Sequence, residues 1–268
     1  MTERRRRKKA KDRYLTAGSL SCMVIISALA LILFTPLRNG MEAFLSGDSG
    51  EADAAEVFIS DQNGKADYPQ ELLDMLELNQ ETLDFVQDYP NRADYQGKPI
   101  DLSKDYTSGQ VPLLMQWDKR WGYDSYGDSN IGLAGCGPTC MAMVYLYLTG
   151  DTSMNPRTMA EFADNNGYHT SEGTTWSLWT EGAAKLGLTG ETLSLNESVM
   201  KKILDKGGLI VCSMRPGDFT TTGHFIVIRG YDKKGFYVND PNRRSTSEKQ
   251  WDFGTLQKQI KNLWGISR

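Results

Sequence analysis

Gly132-Leu-Ala-Gly-Cys-Gly-Pro-Thr-Cys-Met-Ala-Met-Val-Tyr-Leu-Tyr-Leu148 sets Cys136 immediately ahead of an almost unbroken apolar run. The run predicts a buried helix over Pro138–Leu148, which puts the cysteine in its first turn. A sulfur there faces unpaired backbone N–H groups and the positive end of the helix dipole, and both favour a thiolate. Pro138 fits a helix start, where a missing N–H costs nothing. Gly135 and Gly137 are expected to leave room for a substrate backbone beside the sulfur. Taken alone, the same cysteine also reads as a small apolar residue opening a helix.

The partner comes from far along the chain. Gly223-His-Phe-Ile-Val-Ile-Arg-Gly-Tyr231 predicts a strand, with His224, Ile226 and Ile228 on one face by the period of two. The only other histidine, His169, sits in the polar stretch Asn165-Asn-Gly-Tyr-His-Thr170 and is expected on a surface loop. Phe236-Tyr-Val-Asn-Asp-Pro241 follows as a further strand, ending in Asp240, held extended by the proline after it. A carboxylate on His224 would fix its tautomer and keep the imidazolium charged beside a thiolate. A tight loop at Lys233–Gly235, however, pairs Asp240 with Val227 or Ile228, so the contact requires a twisted or bulged ribbon. Asn239 is the alternative orienting residue.

Pro156–Ala163, Thr175–Leu186, Glu197–Leu204 and Phe253–Trp264 also read as helices, and Leu209–Met214 and Gly235–Asp240 as strands. Helices early and strands late indicate an α+β domain with antiparallel pairing. There is no internal repeat and no phosphate-cradling G-x-x-x-x-G-K-[ST] loop.

The chain has 268 residues, 40% apolar and 24% charged, enough for one well-buried domain with accessory segments. The net charge of -4 hides a split, because residues 1–13 hold eight Arg or Lys against Glu3 and Asp12, leaving an acidic remainder. That balance argues against a nucleic-acid partner. Four cysteines (Cys22, Cys136, Cys140, Cys212) are too few for a disulfide scaffold. Two histidines exclude a multi-histidine metal site. Cys136, Cys140 and His224 remain a formal zinc set, though Cys-x3-Cys lacks the usual paired spacing. Cys140 and Cys212 read as core residues, and no cofactor is implied.

Residues 1–13 read as a basic cytoplasmic tail and 14–37 as a transmembrane signal anchor. No charge falls between Tyr14 and Leu37, and this length can cross a core of about 30 Å. Basic residues before the span place the N-terminus inside and everything after Arg38 outside the cell membrane. A cleaved signal peptide with its small-x-small site at Ala28-Leu-Ala30, and a lipid anchor through Cys22, are the alternatives. Residues 38–67 read as a flexible stalk and 68–97 as a short helical segment, with a break near Asn79 and a stop at Pro90. The main domain takes 98–268, its dense apolar patterning beginning at Val111.

Gly-Cys-Gly-Pro-Thr-Cys, then Gly-His-Phe-x-Val, then Asn-Asp-Pro, in this order over roughly Val111–Arg244, resembles the bacteriocin-processing (double-glycine) peptidase family of the papain-like cysteine peptidase superfamily. The resemblance implies a papain-like fold whose N-terminal helix bears the nucleophile and whose sheet comes late. It implies hydrolysis of a peptide or protein substrate by Cys136, His224 and Asp240. It also assigns Gln116, in Val111-Pro-Leu-Leu-Met-Gln-Trp-Asp118, as oxyanion donor together with the Cys136 backbone N–H. The family's best-known members are fused to a transporter and trim leader peptides on the cytoplasmic side. This chain shows neither the fusion nor, on the anchor reading, that location, which puts the double-glycine substrate in doubt; what carries over is the fold and the reaction type. Trp176 and Trp179 are candidates for the groove wall, and equally for the core. A cell-wall amidase or acyltransferase of the same fold, and a surface module that only binds, are the rival functions.

Overall fold

The computed structural model describes residues 49–62, 68–171 and 173–268. Met1–Ala54 and Ala55–Arg268 form two units. Of the first, only Ser49–Ala54, the start of helix α1 (Ser49–Gln62), is described. The expected tail (1–13) and anchor (14–37) lie outside the described residues. Among the described residues no helix is long and apolar enough to cross a membrane.

The stalk expected over 38–67 is helical from Ser49 to Gln62. Ala55, Phe58 and Ile59 recur at helical spacing and join a cluster containing Leu72, Leu76 and Phe85. Low overall hydrophobicity hid that stripe. Helix α2 (Gln70–Leu78) buries Leu72, Leu73 and Leu76 and stops at Asn79, whose extended backbone and side chain, accepting from Glu81 N, start a 3₁₀ turn over Gln80–Thr82. Helix α3 (Leu83–Gln87) and a second 3₁₀ turn (Tyr89–Asp94) follow. The segment docks through Phe85, stacked on Tyr123 with centroids 4.4 Å apart, and through Met115 and Trp117.

The hairpin β1 (Ser125–Tyr126) and β2 (Ser129–Asn130) leads to α4 (Ile131–Ala134) and then to the central helix α5 (Cys136–Thr149). Every residue of α5 from Gly137 to Val144 is buried. Gly150 in the left-handed region closes it, its N–H donating to Leu146 O. Helix α6 (Pro156–Asn165), capped by Asn155, packs beside it. A second small hairpin, β3 (His169–Thr170) and β4 (Gly173–Thr174), comes next. The helix expected over Thr175–Leu186 is divided into a 3₁₀ turn (Trp176–Trp179) and α7 (Glu181–Lys185).

Strand β5 (Thr189–Thr192), helix α8 (Glu197–Asp205), strands β6 (Leu209–Met214), β7 (His224–Tyr231) and β8 (Phe236–Asn239), helix α9 (Arg244–Ser247), strand β9 (Gln250–Trp251), helix α10 (Phe253–Gln259) and strand β10 (Ile260–Ser267) complete the chain. One antiparallel sheet results, in the order β5-β10-β6-β7-β8-β9. Its inner strands are buried on both faces. Leu209, Val211, Phe225 and Val227 pack toward α5, while Ile210, Cys212, Ile226 and Ile228 pack with Met200 of α8 and Leu256 of α10.

The helix expected over Phe253–Trp264 ends at Gln259. Ile260–Ser267 instead lies between β5 and β6, sending Ile260 and Leu263 to one cluster and Trp264 and Ile266 to the other. Two-sided burial gives a strand a continuous apolar run that imitates a buried helix. Strand β5, Thr-Gly-Glu-Thr at the sheet edge, has no apolar alternation to announce it.

Candidate active site

Cys136 opens α5 with Gly135 as its N-cap, and is part-exposed where its neighbour Gly137 is buried. Together with His224 and Gln116 it lines an open groove of about 390 Å³. One wall is α2, contributing Glu71, Asp74, Met75 and Leu78, and the other is the loop from Gly217 to Gly223. The helical segment ahead of the domain therefore both packs on the domain and walls the groove.

His224 begins β7, opposite Met214 of β6, and is 9% exposed. Its Nε2 lies 2.7 Å from Asp240 Oδ1. A bulge produces this contact. Tyr231 pairs with Phe236 and Gly230 with Tyr237, but Ile228 pairs with Val238 and Val227 with Asn239, so Arg229 is the extra residue. Without it, Asp240 would come level with Val227 and point to the other face. With it, Asp240 comes level with Ile226 and shares the face of His224.

Asp240 is fully buried and saturated. Oδ1 also accepts from Asn242 N (2.8 Å) and Arg243 N (3.3 Å), and Oδ2 accepts from Thr246 Oγ1 at 2.6 Å. Burial works to raise its pKa, but the charge and hydrogen bond of His224, with those donors, hold it below the usual carboxylate value. For His224, burial works against the cation. The charge and hydrogen bond of Asp240, then the hydrogen bond and charge of Cys136, overcome it and push His224 up to about 10.

Gln116 is buried, its backbone N–H donating to Pro241 O (2.8 Å) and its Nε2 to Gly132 O (2.7 Å). One amide hydrogen remains on Nε2, and Oε1 has no hydrogen-bond partner. The residue bridges the loop after Asp240 to the turn before Cys136. Asn239 is not the orienting group: it pairs across from Val227, its Oδ1 accepts from Arg229 Nε (2.8 Å), and its Nδ2 donates to Pro112 O (2.8 Å).

Several expectations need correction. A Cβ on Gly137 would stand 2.3 Å from Thr174 Oγ1, and one on Gly135 would stand 2.5 Å from Ile131. These glycines permit close packing of β4 and α4 on the helix start and do not line the groove. Trp179 is fully buried against Phe225 and Trp264, and Trp176 lies edge-on to Trp264. Neither lines the groove. His169 is not a loop residue: it lies in β3, its ring 4.5 Å from that of Tyr126 and directly over Gly127.

Cys140 and Cys212 are both fully buried, and burial pushes both thiols up. Cys140 Sγ donates to Phe225 O (3.4 Å). No disulfide joins Cys136, Cys140 and Cys212.

Sequence reasoning missed the residues that hold Asp240 and its loop. Ser247 Oγ accepts from Asp240 N (2.8 Å), and Glu81 accepts from Arg244 N, Ser245 N and Ser245 Oγ. Asn79 Nδ2 and Trp117 Nε1 both donate to Asn242 O. The available signal was the polar run Asn242-Arg-Arg-Ser-Thr-Ser247, dense in residues that bond nearby backbone.

A cysteine at the head of a central helix, sharing a groove with a strand-borne histidine and its buried carboxylate, is the architecture of the papain-like cysteine peptidases. The chain matches the Peptidase C39 like family over residues 108–267 and belongs to it. Among solved structures it is similar to the peptidase domain of Streptococcus ComA, a bi-functional ABC transporter involved in a quorum sensing pathway. That match has 20% identity and a TM-score of 0.39 and covers 50% of this chain and 89% of that one. It is also similar to a Bacillus anthracis protein assigned as a C39-like peptidase, at 16% identity, covering 59% of this chain and 95% of that one, with a TM-score of 0.39. No curated protein matches it.

Proposed function

We propose that this chain is a membrane-anchored cysteine peptidase working outside the cytoplasm, and that Cys136, His224, Asp240 and Gln116 carry the reaction. The observation that supports it most is the buried His224–Asp240 pair, 2.7 Å apart, at the groove that also exposes Cys136. Cys136 Sγ attacks the peptide carbonyl carbon as a thiolate. The carbonyl electron pair moves onto oxygen, where the free Gln116 amide hydrogen and the Cys136 backbone N–H meet it. His224 gives its proton to the leaving amine as the C–N bond breaks, leaving a thioester. Water, losing a proton to His224, attacks that thioester, the C–S bond breaks to restore the Cys136 thiolate beside protonated His224, and the acyl product leaves as a carboxylic acid that gives its proton to solvent. Asp240 holds the tautomer and orientation of the ring throughout. Export rests on the basic block followed by the uncharged stretch 14–37.

Alkylation of the full chain at about pH 6, where an ordinary thiol is barely ionised, tests this. Rapid labelling of Cys136 over Cys140 and Cys212, abolished in His224→Ala, with loss of peptide cleavage in Cys136→Ala, is expected. Slow, equal labelling of all three counts against the reading, and cleavage of peptidoglycan in preference to peptides favours an amidase instead.

A further inference from the structure

Glu71, Asp74, Met75 and Leu78 sit at i, i+3, i+4 and i+7 of α2 and line the groove together, while Leu72, Leu73 and Leu76 of the same helix are buried in the opposite direction. That outer stripe is mixed: two carboxylates stand at one end, and two flexible apolar side chains at the other. Leu78 is 59% exposed although it is large and apolar. Across the groove Asp218 adds a third carboxylate, its Oδ2 accepting from Gln259 Nε2 (2.6 Å). Against these stand His224, neutralised by Asp240, and Arg243, whose guanidinium donates to Leu78 O. Among the described residues no lysine lines the groove.

We infer that this stripe is a specificity subsite for a lysine or arginine of the substrate peptide. A long basic side chain carries methylenes and a terminal cation in one unit. Its stem covers Met75 and Leu78, and its head reaches Asp74 and Glu71, which accounts for both halves of the stripe. An acidic side chain would meet like charge, and a short apolar one would leave the carboxylates unused. Helix α2 precedes the stretch matched to the family, 108–267, so the subsite is supplied by this chain's own additional segment. The inference rests on the peptidase reading of the same groove.

The test scans peptides in which each position in turn is lysine, norleucine or glutamate, with the full-length chain as enzyme. Exposed charge pairs are each worth up to about 5-fold, so at one position kcat/KM for lysine should exceed that for norleucine by about 5- to 25-fold. The ratio should shrink between about 0.05 M and about 0.5 M salt. Glu71→Gln/Asp74→Asn should bring the ratio close to one, while Glu77→Gln, a charge change on α2 away from the groove, should leave it intact. Affinity of the same peptides for Cys136→Ala full-length chain is measured in parallel. Cleavage without a lysine preference, or a preference that survives Glu71→Gln/Asp74→Asn, overturns the subsite and leaves the peptidase standing. A lysine preference in binding without cleavage by the unmodified chain upholds the subsite and sinks the peptidase.

Discussion

Replacing Asp240 by Asn removes a charge while nearly keeping a shape. The Asn Oδ1 can take over the bonds from His224 Nε2, Asn242 N and Arg243 N, and the new NH₂ group lies where Thr246 Oγ1 can turn to accept from it. What is lost is the counter-ion of a buried imidazolium. At about 4 Å and an effective dielectric near 20, that attraction is about 4 kcal/mol, or about three pH units. Burial, which opposes the cation, is then met only by Cys136, so the His224 pKa should fall from about 10 toward the ordinary 6.5.

Two consequences can be measured. The alkaline limb of kcat/KM, and of Cys136 alkylation, which reports loss of the imidazolium, should move down by about three pH units. The stability difference between the wild type and Asp240→Asn should also depend on pH in a fixed sense. Because the folded pKa of His224 is raised, its contribution is fully present below about 6.5 and fades as pH climbs through about 10. Because that of Asp240 is lowered, its contribution is present above the ordinary carboxylate pKa and fades as pH falls. The difference should therefore be widest between about pH 4 and about pH 6.5. Urea melts across the pH range, with the His224 ring titrated by NMR, check both. An alkaline limb that stays in place would show that His224 does not owe its charge to Asp240, and the reasoning would fail.

Gln116→Ala should lower kcat by about 10²- to 10³-fold through loss of an oxyanion donor, measured as initial rates on a cleaved peptide beside a melt that detects any structural cost of losing the bond to Gly132 O. Glu81→Ala removes three hydrogen bonds to Arg244 and Ser245. It should cost about 1 kcal/mol of stability and depress kcat more than it raises KM, as steady-state kinetics will show. Gly137→Ala forces a methyl onto Thr174 and should destabilise the fold by about 1–3 kcal/mol. Much of that loss should persist in Gly137→Ala/Thr174→Ala, because alanine keeps the Cβ of residue 174 at 2.6 Å from the added methyl, as thermal denaturation will show.

The parts legible in the sequence are those where local pattern and tertiary role agree. The strands Leu209–Met214 and His224–Tyr231 have the expected bounds, because turns and glycines delimit short apolar runs. The head of α5 is legible because glycine, cysteine and proline have few other reasons to stand together before a buried helix. Strand β10 is not, since burial on both faces erases the period that separates strand from helix. Hydrogen bonding across the sheet then decides for strand, with Trp264 between Thr192 and Val211. Arg229 shows a different limit. In Ile228-Arg-Gly-Tyr231 only Gly230, an isolated glycine inside a strand pattern, marks a bulge, yet one inserted residue decides which face of the ribbon carries Asp240. The geometric conflict in a bulge-free register was the other trace of it.

The groove joins two stretches of chain for a reason that can be argued from its bonds. The loop after Asp240 must stay fixed if the carboxylate is to hold the imidazole, but α9 has only four residues and cannot brace it alone. Its support comes from the segment before the matched stretch. Asn79 holds Asn242 O, Glu81 holds the backbone N–H groups of Arg244 and Ser245, and Arg243 reaches back to Leu78 O. The helix that presents the groove wall is thus bonded to the loop that positions the carboxylate. A peptide pressing on Met75 and Leu78 bears on the same contacts that align His224. Loosening Asn79 or Glu81 should therefore weaken substrate selection and turnover together, whereas a spectator segment would affect stability alone.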